Sequence, residues 1–354
     1  MGLVSNFTAL ADDKRYIQDL REIVVNKAFL QPTESMFTVV PGIKGGQQVA
    51  AMKGFEYVTK KSAGCGGDGI SPEFPAFSQF WNPQLQEVKI EYCYSDFESK
   101  FVQWGLNNGY DRKNLDGTAL GLFIQDLVSE AIVLDMQRNL LLADKDIAAL
   151  NVLTDEATYA QYYTTIDKGL IPTLSYLKTL PEFADRFVPL TKNTGVMDSQ
   201  LDLPTGYAKD LYRSVVRRNY GFTGDILLSS NELYLNYEDF ITEGVGPLQS
   251  NLDTIVNGTK NLKVSGQAIT PVVHYDRWRA KDFVTEVAGN DSIYLPHFAL
   301  FTRKEYLQAG VDDVNSLNNI RLEYIGGKEE TFWIKANYML DFKMTNPYAM
   351  KAAL

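Results

Sequence analysis

Residues able to do chemistry are few in this 354-residue chain, and they stand far apart. There are two histidines, His274 and His297, and two cysteines, Cys65 and Cys93. A zinc cage needs Cys and His ligands at short, regular spacings, and these four do not have them. Two cysteines cannot build a disulfide framework. His274 lies in Pro271-Val-Val-His-Tyr-Asp-Arg-Trp278. Asp276 nearby would suit a histidine held as a base, but a histidine at a strand end explains the segment more simply. Cys93 falls on the polar side of an alternating run and reads as a small filler residue.

Gly64-Cys65-Gly66-Gly67-Asp68-Gly69 matches the spacing G-x-G-x-x-G. In dinucleotide sites that turn opens a helix whose amides meet the pyrophosphate. Here Ile70-Ser71-Pro72-Glu73-Phe74-Pro75 follows, and two prolines without an apolar period forbid the helix. Neither G-x-x-x-x-G-K-[ST] nor G-x-S-x-G occurs. The paired carboxylates Asp12/Asp13, Glu238/Asp239, Asp312/Asp313 and Glu329/Glu330 read as solvated faces or turns. Arg213, Arg217 and Arg218 form a small basic cluster suited to ion pairs between subunits. With 44 acidic against 34 basic residues and a net charge of −10, the chain is no dedicated nucleic-acid binder. The sequence therefore assigns no catalytic, cofactor-binding or metal-binding residue and no cofactor.

The elements around these residues say more. The start, MGLVSNFTALADDKR, has no basic region before an apolar one, and no apolar run approaches the length of a membrane span. The expectation is a soluble, intracellular protein with reduced thiols and no membrane partner. Ile17, Leu20, Val24 and Ala28 give an amphipathic helix over residues 10–29, stopped by Pro32. It either docks on its own domain or packs as an arm on another subunit.

Gly42, Gly45, Gly46, Gly54, Gly64, Gly66, Gly67 and Gly69 crowd residues 42–74. Between them Gln47 to Met52 and Phe55 to Thr59 read as strands. This is a long β-hairpin with arms reaching on the order of 50 Å. Its apolar residues Val49, Met52, Phe55 and Val58 have few local partners, and a free two-stranded ribbon is marginal in water. A neighbouring chain is the natural place for them, and residues 45–67 are expected to be dispensable for the subunit's own fold.

Val88, Ile90, Tyr92 and Tyr94 alternate with polar residues in a strand from Leu85 to Phe97. A helix over 118–143 carries apolar residues on two sides, as a helix wedged between other elements does. Residues 144–317 read as a mixed unit with helices at 156–168, 206–218 and 231–242. The last begins at the capping residue Ser230 and follows a strand, Asp225 to Leu228. Short strands over Leu262–Val273 come after. Ile320, Leu322 and Tyr324, the turn Gly326-Gly327, and Phe332, Ile334, Ala336, Tyr338, Leu340 and Phe342 make a closing hairpin. Its long second strand needs a long partner, and Leu85 to Phe97 is the obvious one. The fold class is α+β.

This order of elements resembles the major capsid protein of tailed bacteriophages, the Hong Kong 97-type fold. Gly224-Asp-Ile-Leu-Leu-Ser-Ser-Asn-Glu-Leu-Tyr234 is similar to that family's axial-domain strand entering a helix through a serine. Asn261-Leu-Lys-Val-Ser-Gly-Gln-Ala-Ile-Thr-Pro-Val-Val-His274 is similar to its glycine followed by paired short strands. Leu295-Pro-His-Phe-Ala-Leu-Phe-Thr302 leads to Tyr306-Leu-Gln-Ala-Gly-Val-Asp312, which resembles the pattern N-L-x-x-G-x-D with tyrosine for asparagine. The resemblance implies an N-terminal arm (1–41), an extended loop (42–74), a peripheral domain with a spine helix and long antiparallel sheet (75–143 and 318–354), and an inserted axial domain (144–317).

It also implies a structural role rather than an enzyme's. Hexamers and pentamers would build an icosahedral shell around double-stranded DNA, in the virion, after assembly in the host cytoplasm with scaffolding and portal proteins. Val49, Met52, Phe55 and Val58 would then lie at a subunit interface. Gly244, Gly246 and Pro247 would form an axial loop. No helical, charged prodomain precedes the arm, so scaffolding is expected to be separate or cleaved away. Lys53, Lys60 and Lys61 lie in the loop without an identifiable cross-linking partner. Two alternatives stand beside this reading: an encapsulin-type nanocompartment shell, and an intracellular enzyme with an acidic active site.

Overall fold

A strand of fourteen residues, too long for one short neighbour to cover, organises the computed structural model of this chain. The structure describes residues 36–53, 59, 61, 76–93, 131–217, 222–244, 262–287, 289–311, 321–325 and 331–354. The arm at 10–29 and the first half of the long helix lie outside them. Among the described residues the strands β1 (Thr38–Pro41), β2 (Gln48–Met52), β3 (Ala76–Phe80) and β4 (Gln84–Cys93) precede the helices named below. Helix α1 runs over 131–142. It is followed by α2 (Ile147–Leu150), α3 (Glu156–Tyr163), α4 (Leu170–Thr179), β5 (Phe187–Val188), α5 (Met197–Leu201) and α6 (Tyr207–Arg217). Then come β6 (Ile226–Ser230), α7 (Asn231–Gly244), β7 (Lys263–Val264), β8 (Gln267–Val272) and α8 (Tyr275–Asp282). The chain continues through β9 (Val284–Val287), β10 (Asn290–Ile293), β11 (Ala299–Thr302) and β12 (Leu307–Val311), then β13 (Arg321–Ile325), β14 (Thr331–Met344) and β15 (Met350–Ala353).

The fold is α+β. β14 pairs antiparallel with β4 from Thr331↔Cys93 to Leu340↔Gln84, the partnership that strand length alone demanded. Its other edge is shared by β13 and β12, and β1 joins β12 in parallel. Along β14, Ala336, Tyr338, Leu340 and Phe342 are buried, as their period of two required. α1 brings Met136, Leu140, Leu141 and Leu142 to the same core, all inaccessible to water.

A second, six-stranded sheet runs in the order β5-β15-β11-β6-β8-β7. The two sheets divide the chain at other places than the sequence suggested. β12 lies before residue 318 yet joins β14, whereas β15 leaves that sheet and sits between β5 and β11. Both strands are short apolar runs, and nothing local in such a run specifies its partner. The helices expected at 206–218 and 231–242 are α6 and α7. The one expected over 156–168 stops at Tyr163. α4 has no clear sequence signal because Pro172 reads as a breaker. It stands in the first turn, where its missing N–H breaks no helical bond.

Gly310 of β12 shows how tightly the first sheet is covered. A Cβ added there would lie 2.5 Å from the Trp81 ring and 2.6 Å from Ile43. Overpacking of this kind costs about 1–3 kcal/mol. Gly310→Ala should therefore lower the chemical-denaturation midpoint, while Gly45→Ala, with nothing within 4 Å of its added carbon, should leave it close to that of the unaltered protein. Equal midpoints for the two variants would contradict this packing.

Candidate functional site: a rooted ribbon and a buried polar quartet

The glycine-rich segment is rooted in its own chain before it can serve any other. β2 and β3 pair antiparallel from Gln48↔Phe80 to Met52↔Ala76. At the root, Gly46 takes φ of 82°, a conformation suited to glycine. Its amide donates to the Trp81 carbonyl at 2.8 Å, and the Trp81 amide donates to Gln47 at 2.9 Å. The ribbon's inner face carries Val49, Ala51, Phe77 and Gln79. Phe77 meets the Phe183 ring edge-on at 5.8 Å, and Gln79 Nε2 donates to the Met344 carbonyl at 3.2 Å. The outer face presents Met52 and Phe80, 70% and 56% exposed.

This corrects two expectations. The partner of β2 is Ala76–Phe80, beyond the segment that was to hold both arms. Residues 45–67 are also not all dispensable, since β2 and its root belong to the chain's own packing. Of the four apolar residues chosen for an interface, Val49 is half-buried on the inner face and Met52 points outward. Phe55 and Val58 lie outside the described residues, as do the glycines Gly64–Gly69. Gly244 ends α7, while Gly246 and Pro247 lie outside. His274 precedes α8 with its ring 5.9 Å from that of Trp278, and Arg217 Nε donates to Ser265 Oγ at 3.1 Å.

The sequence missed a cluster that only the fold assembles. Arg279, wholly buried on α8, places Nη1 3.1 Å from Glu232 Oε2 of α7. The same nitrogen is 3.5 Å from Asp276 Oδ1 and 3.3 Å from His297 Nδ1. Its Nε donates to the Leu295 carbonyl at 2.9 Å. Glu232, Asp276 and His297 bring ligand atoms within 4.8 Å of one another, which is close enough to grip a cation. The cation they hold is the guanidinium. Asp276 Oδ2 accepts the Glu232 amide at 2.8 Å and so caps α7 from another helix. Ser230, the expected cap, is buried with its hydroxyl unpartnered.

Two side-chain amides fix the backbone of the segment that carries the histidine. Asn193 Oδ1 accepts from the His297 amide at 2.7 Å, and its Nδ2 donates to the His297 carbonyl at 3.0 Å. Gln200 does the same for Ile293, at 2.7 and 3.0 Å. Burial, helped by Arg279, pushes the His297 pKa down to about 3. Burial also raises Glu232, with Asp276 adding to the effect, and raises Asp276 against the pull of the α7 amides and Arg279. A second buried pair, Asp341 and Lys343 at 3.0 Å, lies in β14, where the Asn82 amide donates to Asp341 at 2.8 Å. Burial raises Asp341 despite the lysine. These groups hold elements together.

The cap assignment is testable. Ser230→Ala should leave stability within about 0.5 kcal/mol, because a buried hydroxyl without a partner contributes little. Asp276→Ala removes the cap and leaves Arg279 short of a counter-charge. Loss of a cap alone costs about 0.5–2 kcal/mol, so urea denaturation should place this variant well below Ser230→Ala. The reverse order would restore Ser230 as the cap.

Comparison with known proteins gives likenesses of fold at low identity. No protein-family model and no curated protein matches the chain. A chain of the satellite phage P4 procapsid, solved with its size-determination protein, is 10% identical, with 95% of this chain and 98% of that one covered and a TM-score of 0.49. A protein of Gordonia phage Cozz is 13% identical, covering 92% of this chain and 85% of that one at a TM-score of 0.47. The holo-SrpI encapsulin complex of Synechococcus elongatus PCC 7942 is 11% identical, covering 91% and 87% at a TM-score of 0.42.

Proposed function

We propose that this chain is a shell-forming major capsid protein, whose copies pack as hexamers and pentamers around a double-stranded DNA genome. The observation that carries the reading is the ribbon. Its root is locked to its own subunit by Trp81, yet its outer face and its far end at Met52 and Ala76 project apolar surface with no partner in the same chain among the described residues. The stretch between Met52 and Ala76 holds Phe55, Val58 and Phe74 and is far longer than a turn needs. An adjacent copy supplies what that stretch lacks. In this reading Gly244, Gly246 and Pro247, where α7 ends, form the loop nearest the symmetry axis. Scaffolding and portal proteins assist assembly in the host cytoplasm.

The role needs no catalytic group. It also makes sense of the acidity. A basic lining would hold phosphates through counterion release, whereas a chain of net charge −10 lets DNA move during packaging.

The full chain, expressed alone or with its scaffold, should sediment as pentamers, hexamers or shells and show them by negative-stain microscopy. A monomer at every concentration and salt would overturn the reading. Replacing residues 54–74 by Asn-Gly keeps β2, β3 and Trp81. That variant should unfold within a few degrees of the unaltered chain but form no stable shells. Normal shells from it would remove the ribbon from the interface. Protein cargo instead of nucleic acid inside the shells would point to an encapsulin-type compartment.

A further inference from the structure

His297 is held in one tautomer by its surroundings. Nε2 lies 2.8 Å from the Gln200 carbonyl oxygen, which can only accept, so Nε2 carries the proton. Nδ1 lies 3.3 Å from Arg279 Nη1, which can only donate, so Nδ1 is bare. A second proton has only Nδ1 to enter, and there it meets a guanidinium that is itself wholly buried. The other charged groups around the ring are Glu232 of α7, with Oε2 3.5 Å from Nε2, and Asp276 of α8, with Oδ1 4.0 Å from Nδ1. Both are engaged by Arg279, and Asp276 by the α7 amide as well. Tyr275 of α8 donates its hydroxyl to the Pro296 carbonyl at 2.6 Å, and Tyr212 of α6 donates to or accepts from Ser229 at 2.6 Å. Neither offers the ring a negative charge.

We propose that His297 is an acid switch: a proton on Nδ1 replaces the Arg279 hydrogen bond by a contact between two cations and releases α7 from α8 and residues 293–298. The switch does not depend on the shell reading. Three elements meet at this one ring, so its protonation unlocks α7, whose N-terminus is capped across the same junction.

The sign follows from linkage. An imidazole that is neutral when packed and ordinary when open stabilises the packed form above pH 6.5, and this contribution fades as the pH falls toward 3. Between pH 7.5 and 5.5 the opening equilibrium rises roughly tenfold through this group. Glu232 and Asp276, both raised by burial, act in the opposite sense, so the effect is read as a difference between variants.

The experiment is amide hydrogen exchange of the full chain at pH 7.5 and 5.5, corrected for intrinsic rates, with β14 peptides as internal reference. Acidification should open α7 and α8 roughly tenfold more in the unaltered chain than in His297→Gln. His274→Asn, which removes the other histidine, should behave like the unaltered chain. Equal acid sensitivity in His297→Gln and the unaltered chain overturns the switch, and so does its loss in His274→Asn. Should His297→Gln not fold, histidine carbon resonances of the unaltered protein decide the matter. One imidazole should stay neutral down to pH 5. Two that both titrate near pH 6.5 would overturn it.

Discussion

The contact of Trp81 with Gly310 is the constraint on which the rest of the first sheet depends. The indole lies over the one position of β12 without a side chain, with Ile43 beside it. It joins the face of β12, the turn at Gly46 and Gln47, and the link between β3 and β4. A large aromatic ring buries more area than any other side chain could at such a junction. Because the ring is fixed, the two strands that flank it leave in fixed directions. β4 runs along β14, and β3 runs out with β2 as the ribbon. One packed ring thus serves both the closed part of the molecule and the part that projects from it.

The second sheet is held differently. Its helices and loops are joined by polar side chains that act as substitutes for backbone. Asn193 and Gln200 pair with single residues as a strand would, and Asp276 replaces the local cap of α7. Tyr163 donates to Asp282 at 2.7 Å and ties α3 to the end of α8. Buried ionic groups of this kind add little net stability, because desolvation offsets much of their attraction. Breaking one partner is nonetheless costly, because the other is left buried without its counter-charge.

Sequence periodicity revealed what depends on neighbours along the chain. β14 and its partner β4 were legible because a long alternating strand must be covered by another. α6, α7 and the strand entering α7 were legible from apolar spacing and flanking polar residues. What was not legible depends on partners distant in sequence. β15 is four residues of unremarkable pattern, and its place beside β11 follows from where β14 ends. Gly310 had a counterpart in the resembling pattern, but nothing local tied it to Trp81. Arg279 and His297 lie eighteen residues apart with no motif between them. Asp276 stands two residues from His274, but the fold turns it toward Glu232 and Arg279.

Charge and apolar surface together restrict how copies of this chain can meet. At a net charge of −10, like copies repel at long range, and salt shortens that reach to about 8 Å at physiological ionic strength. Contacts between copies must therefore gain their energy at close range, where apolar area counts at roughly 25 cal/mol per Å². The outer face of the ribbon is suited to this. Met52 and Phe80 project from opposite ends of it, separated by Ala50 and Ser78, which are small and uncharged. Among the described residues of β2 and β3 no acid or base lies on that face, so a neighbour can approach it there without desolvating a charge. By contrast β4 exposes Glu87, Lys89 and Glu91 in alternation, with Leu85 the apolar exception at its start. A neighbour packing over that face would have to desolvate those charges, which is costly unless they are paired. Among the described residues, the outer face of β2 and β3 is therefore better suited to such a contact than the charged face of β4.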